Sequence, residues 1–456
     1  MSGFSTINPK NAQEIRRYEY LAPEQIEAAL VASSRAFQHW SRAPITTRAE
    51  ALRKLAQLLI QKKEALAELV TDEMGKPILQ AEAELEKCAT ACLYYAEHAA
   101  SMLADDVVST GHAKSYVAYQ ALGPILAIMP WNFPFWQVIR CAAPAIAAGN
   151  TVLLKHADNS AGVALILAEL WREAGLPEGV FTTLFVDHKG IEPVIADQRI
   201  RAVSLTGSER AGSSVAALAG KYLKKTVLEL GGSDPYIVLR DADVMQAAKI
   251  CAQSRFINNG QSCVAAKRFI VDELVYDSFL EAFLQQARAR RVGDPRDKAH
   301  DIGPLAKLSI VEAIDRQVKA SVSLGARVLL GGQRVDGPGY FYPPTILVNV
   351  NPEMPVFHEE VFGPVAPIIS AKNERQALAL AANTNFGLGC AIFSSDCERA
   401  EYLARSEIAA GLVAVNDMVV SDPRLPFGGI GNSGYGKELS LHGLREFVNA
   451  KSITVR

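Results

Sequence analysis

Thr151-Val152-Leu153-Leu154-Lys155 is an apolar run closed by a lysine. An Ala/Leu-rich helical stretch from Val163 to Ala174 follows it, then Ala202-Val203-Ser204-Leu205 and a second helical stretch from about Arg210. Short aliphatic runs alternating with helical ones spell βαβ units, and such units build a parallel sheet buried on both faces. The fold class this predicts is α/β, with a dinucleotide-type half ending near Gly231-Gly232. Upstream, apolar positions recur at helical spacing from Ala22 to about Ala104, with Thr47 as a candidate cap. From Val107 to Met129 the pattern turns to β-like runs, Ser115 to Tyr119 and Ile125 to Met129. Downstream the alternation resumes with helices near Asp243 to Arg255 and Asp277 to Arg290. Strands are expected at Arg268-Val271, Arg327-Leu330, Val365-Ile369 and Gly411-Asn416. The β-like end, Lys451 to Arg456, has nothing adjacent in sequence to pair with, so it is expected to complete a sheet elsewhere, a partner subunit included.

At 456 residues the chain exceeds the size of one hydrophobic core, so more than one structural unit is expected. Lys and Arg total 47 against 49 Asp and Glu, with no long block of one sign, which argues against nucleic acid or an anionic membrane as partner. A small molecule is the expected partner. Seven scattered cysteines and an N-terminus without a charged-then-apolar leader predict a reducing, cytoplasmic setting. Cys88 and Cys92 lack partners at metal-ligand spacing and read as core thiols, and no metal site is expected. The most apolar stretch, Ile125 to Ile139, holds Pro130, Asn132 and Pro134 and is too short to span a bilayer.

Chemistry concentrates in a few glycine-punctuated runs. Cys263 closes Asn258-Asn259-Gly260-Gln261-Ser262-Cys263, where Gly260 allows close backbone approach and nearby N–H groups or a base can activate a thiol. Alone, this also fits a buried structural thiol. Glu229 ends the apolar run Thr226-Val227-Leu228 and precedes Gly231-Gly232, an environment that raises a carboxyl pKa toward general-base duty. In Pro130-Trp131-Asn132-Phe133-Pro134 the prolines fix the backbone and Asn132 is the one polar side chain, a donor able to hold an oxyanion. Thr206-Gly207-Ser208, with Gly212 beyond, follows a strand and opens a helix, so it can offer N–H groups to a pyrophosphate. Lys155 and Asp158, at a strand's C-terminal end, suit ribose hydroxyls, though a solvated strand end fits equally. Glu360 and Phe362, in Glu359-Glu360-Val361-Phe362-Gly363-Pro364, pair a carboxylate with a ring able to orient a nicotinamide.

These runs, together with Pro426-Phe427-Gly428-Gly429, stand in an order and spacing that resembles the aldehyde dehydrogenase superfamily over nearly the whole chain. With Lys155-His156-Ala157 the likeness is greatest to its bacterial succinate-semialdehyde dehydrogenase branch. The resemblance implies a Rossmann-like cofactor domain (1–102 and 122–231), an α/β catalytic domain (232–430) and a β oligomerisation segment (103–121 and 447–456), assembled as a homodimer or homotetramer. It implies Cys263 as nucleophile, Asn132 with the Cys263 N–H as oxyanion hole, and Glu229 as the base that activates water. Trp131, Lys155, Asp158, Gly207, Ser208, Leu230, Glu360 and Phe362 would hold the dinucleotide, and Arg140, Ser421 and Phe427 the aldehyde. A relative that passes its acyl group to coenzyme A, a general aliphatic aldehyde dehydrogenase and a non-enzymatic scaffold are the alternatives; Glu229 favours water as acceptor.

The chain departs from the pattern at informative places. Asp158 stands where many relatives have Glu; still negative, it should repel a 2′-phosphate, so NAD is expected, with NADP possible. A second substrate-clamping Arg of the semialdehyde enzymes is replaced by Ile257, which weakens the case for a short acidic aldehyde and suits a longer or less polar one. Arg255 and Arg424 are the candidate substitutes. Position 265 is Ala265, so a redox disulfide with Cys263 is not expected there.

Overall fold

A computed structural model describes residues 3–456. Five parallel strands lie side by side in the order Lys225–Glu229, Ala202–Thr206, Pro124–Met129, Thr151–His156, Phe181–Thr183, and Gly434–Tyr435 adds an antiparallel edge. Thr151–His156 and Ala202–Thr206 are buried along their whole length, which is why they read as unbroken apolar runs rather than alternating ones. From the central Pro124–Met129 the chain runs outward on one side, then returns to build the other. That reversal opens a crevice beyond the C-terminal strand ends. Every candidate residue from Asn132 to Glu229 follows or ends one of these strands.

A second sheet runs Arg327–Leu330, Thr345–Val348, Val365–Ala371, Arg268–Asp272, Pro235–Val238, Gly389–Phe393, Leu412–Val415 and is parallel except at its Arg327–Leu330 edge. Four helices at the front, Pro23–Trp40, Ile45–Gln61, Lys63–Met74 and Ile78–Met102, pack on the first sheet and carry much of its core. Cys88 and Cys92 are unpaired thiols in that core, as read from the sequence. Thr47 is not a cap: the helix starts at Ile45 behind Pro44, whose fixed φ of −54° already suits a helix entry.

Two further features differ from expectation. An N-terminal hairpin, Gly3–Asn8 with Gln13–Glu19, escaped notice because its second strand is almost wholly exposed and charged, with no apolar alternation. The C-terminal strand Val448–Val455 pairs antiparallel with Lys114–Ala121 of its own chain, from Val448 opposite Ala121 to Val455 opposite Lys114. It completes a sheet as expected, but within the same chain. Among the described residues no helix is long and apolar enough to cross a membrane.

Candidate active site

The loop Pro130–Pro134 leaves the central strand and is fastened from three directions. His156, buried at the end of the neighbouring strand, accepts the Ala157 N–H at Nδ1 (2.8 Å), so its Nε2 carries the proton and donates to the Pro134 carbonyl (3.0 Å). Burial pushes its pKa down to about 4, keeping the ring neutral. Glu84 accepts the N–H groups of Phe135 and Trp136 at 2.9 Å each, capping helix Trp136–Ala147 from another helix, and is itself paired with buried Lys76. Lys76 in turn lies over the Phe133 ring, 3.9 Å from its centroid. Asn132, nearly buried, donates to the Gln261 carbonyl at 3.2 Å.

Gln261 belongs to the loop that presents Cys263. Asn258 and Asn259 take left-handed backbone angles (φ 53° and 58°), which Asn tolerates best after glycine, and Gly260 follows at φ 77°. A Cβ at Gly260 would collide with the Gly363 backbone, so no other residue fits. Asn258 Nδ2 donates to the Asn132 carbonyl (2.6 Å) and to the Gln261 carbonyl (3.0 Å), stitching the two loops together. Asn259 Nδ2 donates to the carbonyls of Gly75 and Pro304, both at 2.9 Å. Lys267 donates to the Cys263 carbonyl at 2.7 Å. Cys263 itself is half-buried. Burial pushes its thiol up to about 11, against the pull of Arg140 and Lys267.

Glu229 ends its strand with both carboxylate oxygens buried and without a hydrogen-bond partner. Burial holds its pKa well above the usual carboxylate range despite Arg140 nearby. Gly428 (φ 149°) lies so close that a Cβ there would strike Glu229 Oε1. Arg140 is fully buried, ion-paired through Nε to Glu438, 3.4 Å from Thr206 Oγ1 through Nη2, and stacked 4.4 Å over the Phe427 ring. Glu438 is also tied to Phe427 through reciprocal backbone bonds of 2.7 Å.

On the cofactor side, Lys155 pairs with Asp158 at 3.1 Å, and the Tyr20 hydroxyl donates to the other Asp158 oxygen at 2.8 Å. The Gly207 N–H is spent on the Glu229 carbonyl (2.9 Å), so the expectation that it serves a pyrophosphate loses its donor. Ser208 caps helix Glu209–Lys221 by accepting the Ala211 N–H at 3.3 Å, which leaves its own proton free to donate outward. Leu230 fills the space above Gly212. Glu360 accepts the Gly232 N–H at 3.1 Å and faces Lys267 at 3.6 Å. Phe362 meets Trp131 edge-on, 5.8 Å between centroids.

A cavity of about 180 Å³ joins Cys263 to Arg140, Phe427, Ser421, Ile257 and Lys87. The two sequence candidates for a replacement cation are elsewhere. Arg255 is buried beneath the nucleophile loop, donating to the Gly260 carbonyl at 2.6 Å, and Arg424 is an exposed partner of Asp422. Neither lines the cavity. Sequence reasoning passed over Glu84, Lys87, Lys267 and Glu438. Gln80, Ala83, Glu84 and Lys87 share one face of helix Ile78–Met102 (i, i+3, i+4, i+7), and polar groups on such a stripe of an Ala-rich helix were the available signal. Glu438, beyond a glycine-rich turn, offered none.

Parallel strands whose order reverses beside a crevice, with a thiol and a buried carboxyl among the residues brought there, make the kind of site that ligand-binding α/β enzymes build. The aldehyde dehydrogenase family model matches residues 2–453, and the chain belongs to that family, whose members oxidise aldehydes to carboxylates. It is similar, at 48% identity over 99% of both chains, to a probable NADP(+) succinate-semialdehyde dehydrogenase of Synechocystis sp.. It is 45% identical to the NAD(P)+ succinate semialdehyde dehydrogenase Sad of Escherichia coli, over 98% of this chain and 97% of that one. The solved succinic semialdehyde dehydrogenase of Streptococcus pyogenes, in complex with NADP+, superposes with a TM-score of 0.97 at 37% identity, covering 99% of each chain.

Proposed function

We propose that this chain oxidises a short aldehyde bearing a distal carboxylate, of the succinate semialdehyde type, to the dicarboxylate. The observation that carries this is the cavity at Cys263: about 180 Å³, well below the roughly 300–1,000 Å³ of drug-sized ligand sites, with cationic side chains in its wall. The size favours a short aldehyde over the longer one that Ile257 suggested, and the kinship to semialdehyde enzymes agrees with it.

The residues divide the work. The Cys263 thiolate adds to the aldehyde carbon, forming a C–S bond, and the resulting oxyanion is held by Asn132 and the Cys263 N–H. Asn132 is suited because Gln261 fixes one side of its amide while leaving the second amide proton to donate. A bound nicotinamide dinucleotide supplies the hydride acceptor. The crevice fits that group: Lys155 and Asp158 stand at a strand end beside the sheet reversal, and Ser208 heads a 13-residue helix whose N-terminus favours a pyrophosphate. Glu229, once deprotonated, takes a proton from water, which attacks the thioester carbon and releases the carboxylate with the Cys263 thiolate as leaving group.

For the dinucleotide, the structure weakens the argument for NAD. Asp158 is already paired with Lys155 and bonded by Tyr20, so its repulsion of a 2′-phosphate is blunted. Lys307 also lies near enough to feel the charges of Asp158 and Lys155. NADP as the preferred cofactor, with NAD accepted, is therefore our reading, in line with the relatives named above. The test is kcat/KM for succinic, glutaric and unsubstituted aldehydes with each dinucleotide, with and without coenzyme A, beside Cys263→Ala. Turnover in Cys263→Ala, no preference for the acidic aldehydes, or dependence on coenzyme A would each defeat the proposal.

A further inference from the structure

The acidic aldehyde reading leaves a chemical gap, because a distal carboxylate needs a cation and Ile257 cannot supply one. Arg140 is largely committed: a buried carboxylate, Glu438, already neutralises it, and Phe427 covers one face of its guanidinium. Lys87 is not so committed. It comes from helix Ile78–Met102, lines the same cavity as Cys263 and Ile257, and donates to the Ser421 hydroxyl at 2.6 Å. Its ammonium sits over the Trp136 ring, 4.5 Å from the centroid. Among the described residues it forms no ion pair with a carboxylate, although Glu84 and Asp422 are near enough to influence charge there. A cation held by a hydroxyl and a ring, facing a small cavity without a counter-ion, is a site awaiting an anion.

We propose that Lys87, presented by Ser421 and Trp136, is the residue that receives the distal carboxylate of the aldehyde, filling the role left vacant at Ile257. This rests on the acidic aldehyde reading above and adds the residue that selects the acid. The cation arrives from a different helix, so the clamp is rebuilt in space rather than in sequence. A lysine contributes a point charge with rotatable donors where an arginine would contribute a planar fork. The site should therefore tolerate carboxylates at slightly different reach, within the limit set by the cavity.

The experiment compares kcat/KM for succinate semialdehyde and for butanal, an uncharged aldehyde of matching length, in the native chain, Lys87→Met and Lys87→Gln. Loss of the charge should lower the ratio of acidic to neutral aldehyde roughly 10- to 100-fold, the range for a hydrogen bond to a charged group. The loss should fall mainly on KM for the acid, and succinate should weaken as a competitive inhibitor of butanal oxidation by a similar factor. A general defect in folding lowers both aldehydes together and leaves the ratio alone. The native chain provides a second reading without mutation. Burial, helped by Arg140, brings the Lys87 pKa down to about 8, opposed by Cys88, Glu84 and Cys263, so the ratio should fall as the pH rises through that value. Titration of Cys263 or Glu229 affects both aldehydes and cancels. If the native chain prefers the acid yet neither variant nor pH changes the ratio, Lys87 is not the clamp and the acidic aldehyde reading survives. If the native chain shows no preference, both fall.

Discussion

Cys263 is more weakly acidic in the free protein than a cysteine in water, because burial outweighs the attraction of Arg140 and Lys267. With a pKa of about 11, the thiolate is a small fraction at neutral pH. Inactivation by iodoacetamide should accelerate about tenfold per pH unit between roughly 7 and 10, since only the thiolate reacts. A plateau near neutrality, followed by mass spectrometry at Cys263, would show that the thiol is activated before any ligand binds. Glu229 has the complementary property. Its folded pKa lies above its unfolded value, so its stabilising contribution is full below the unfolded pKa and is lost as pH rises through the folded one. Glu229→Gln should therefore leave Tm nearly unchanged at about pH 4 and raise it at about pH 8, where ionisation of the native carboxyl favours the unfolded chain over the buried site. The same variant should give one burst of reduced cofactor per site and then stall, because acylation does not need the base; stopped-flow absorbance distinguishes that from loss of the whole reaction.

Between elements, the loop 257–263 is set by hydrogen bonds that reach across the molecule. Asn258 is the centre of this arrangement: its backbone N–H goes to Gln80 (2.6 Å) on helix Ile78–Met102, and its side chain reaches Asn132 and Gln261. Asn258→Ala removes two buried bonds and places a Cβ-bearing residue without Asn's tolerance at φ 53°, a combined cost of about 2–4 kcal/mol in denaturant unfolding. Asn258→Gly keeps the backbone angle and loses only the bonds, so it should fall between the two; equal stability of Ala and native would refute the account. This arrangement also explains what the sequence disclosed. Cys263 and Glu229 were legible because glycines beside them mark close approach, and the Pro130–Pro134 loop because its prolines leave one amide among aromatics. Lys87, Glu84 and Glu438 were not, since helical periodicity tells which residues share a face but not what that face meets. Arg255 misled for the same reason: a buried guanidinium beneath a loop and one in a cavity look alike in one dimension.

At the scale of the whole molecule, the βαβ alternation was readable because buried parallel strands are continuously apolar, whereas the charged N-terminal hairpin follows no such rule. The C-terminal strand was readable as a strand, but its in-chain partner Lys114–Ala121 lies more than 300 residues earlier, beyond the reach of local pattern. Pairing in cis does not exhaust it. Val448–Val455 is the outer strand of a three-stranded sheet, mostly exposed, and among the described residues no strand pairs on its other side. An open edge eight residues long presents a row of unpaired N–H and C=O groups, which a second copy can extend across a symmetric or heterologous interface. The expected outcome is an assembly larger than the 49.3 kDa chain in analytical ultracentrifugation. Phe447 faces Leu122 of the in-chain ladder, so the alternation turns the N–H groups of Ala450 and Ser452 to the open side, and replacing both with proline removes donors from that edge while leaving the crevice residues untouched. That variant should sediment as a smaller species with its Cys263 alkylation profile preserved. A native chain that sediments as a monomer would mean the exposed edge is simply tolerated, and an unchanged assembly in the proline variant would place the interface elsewhere.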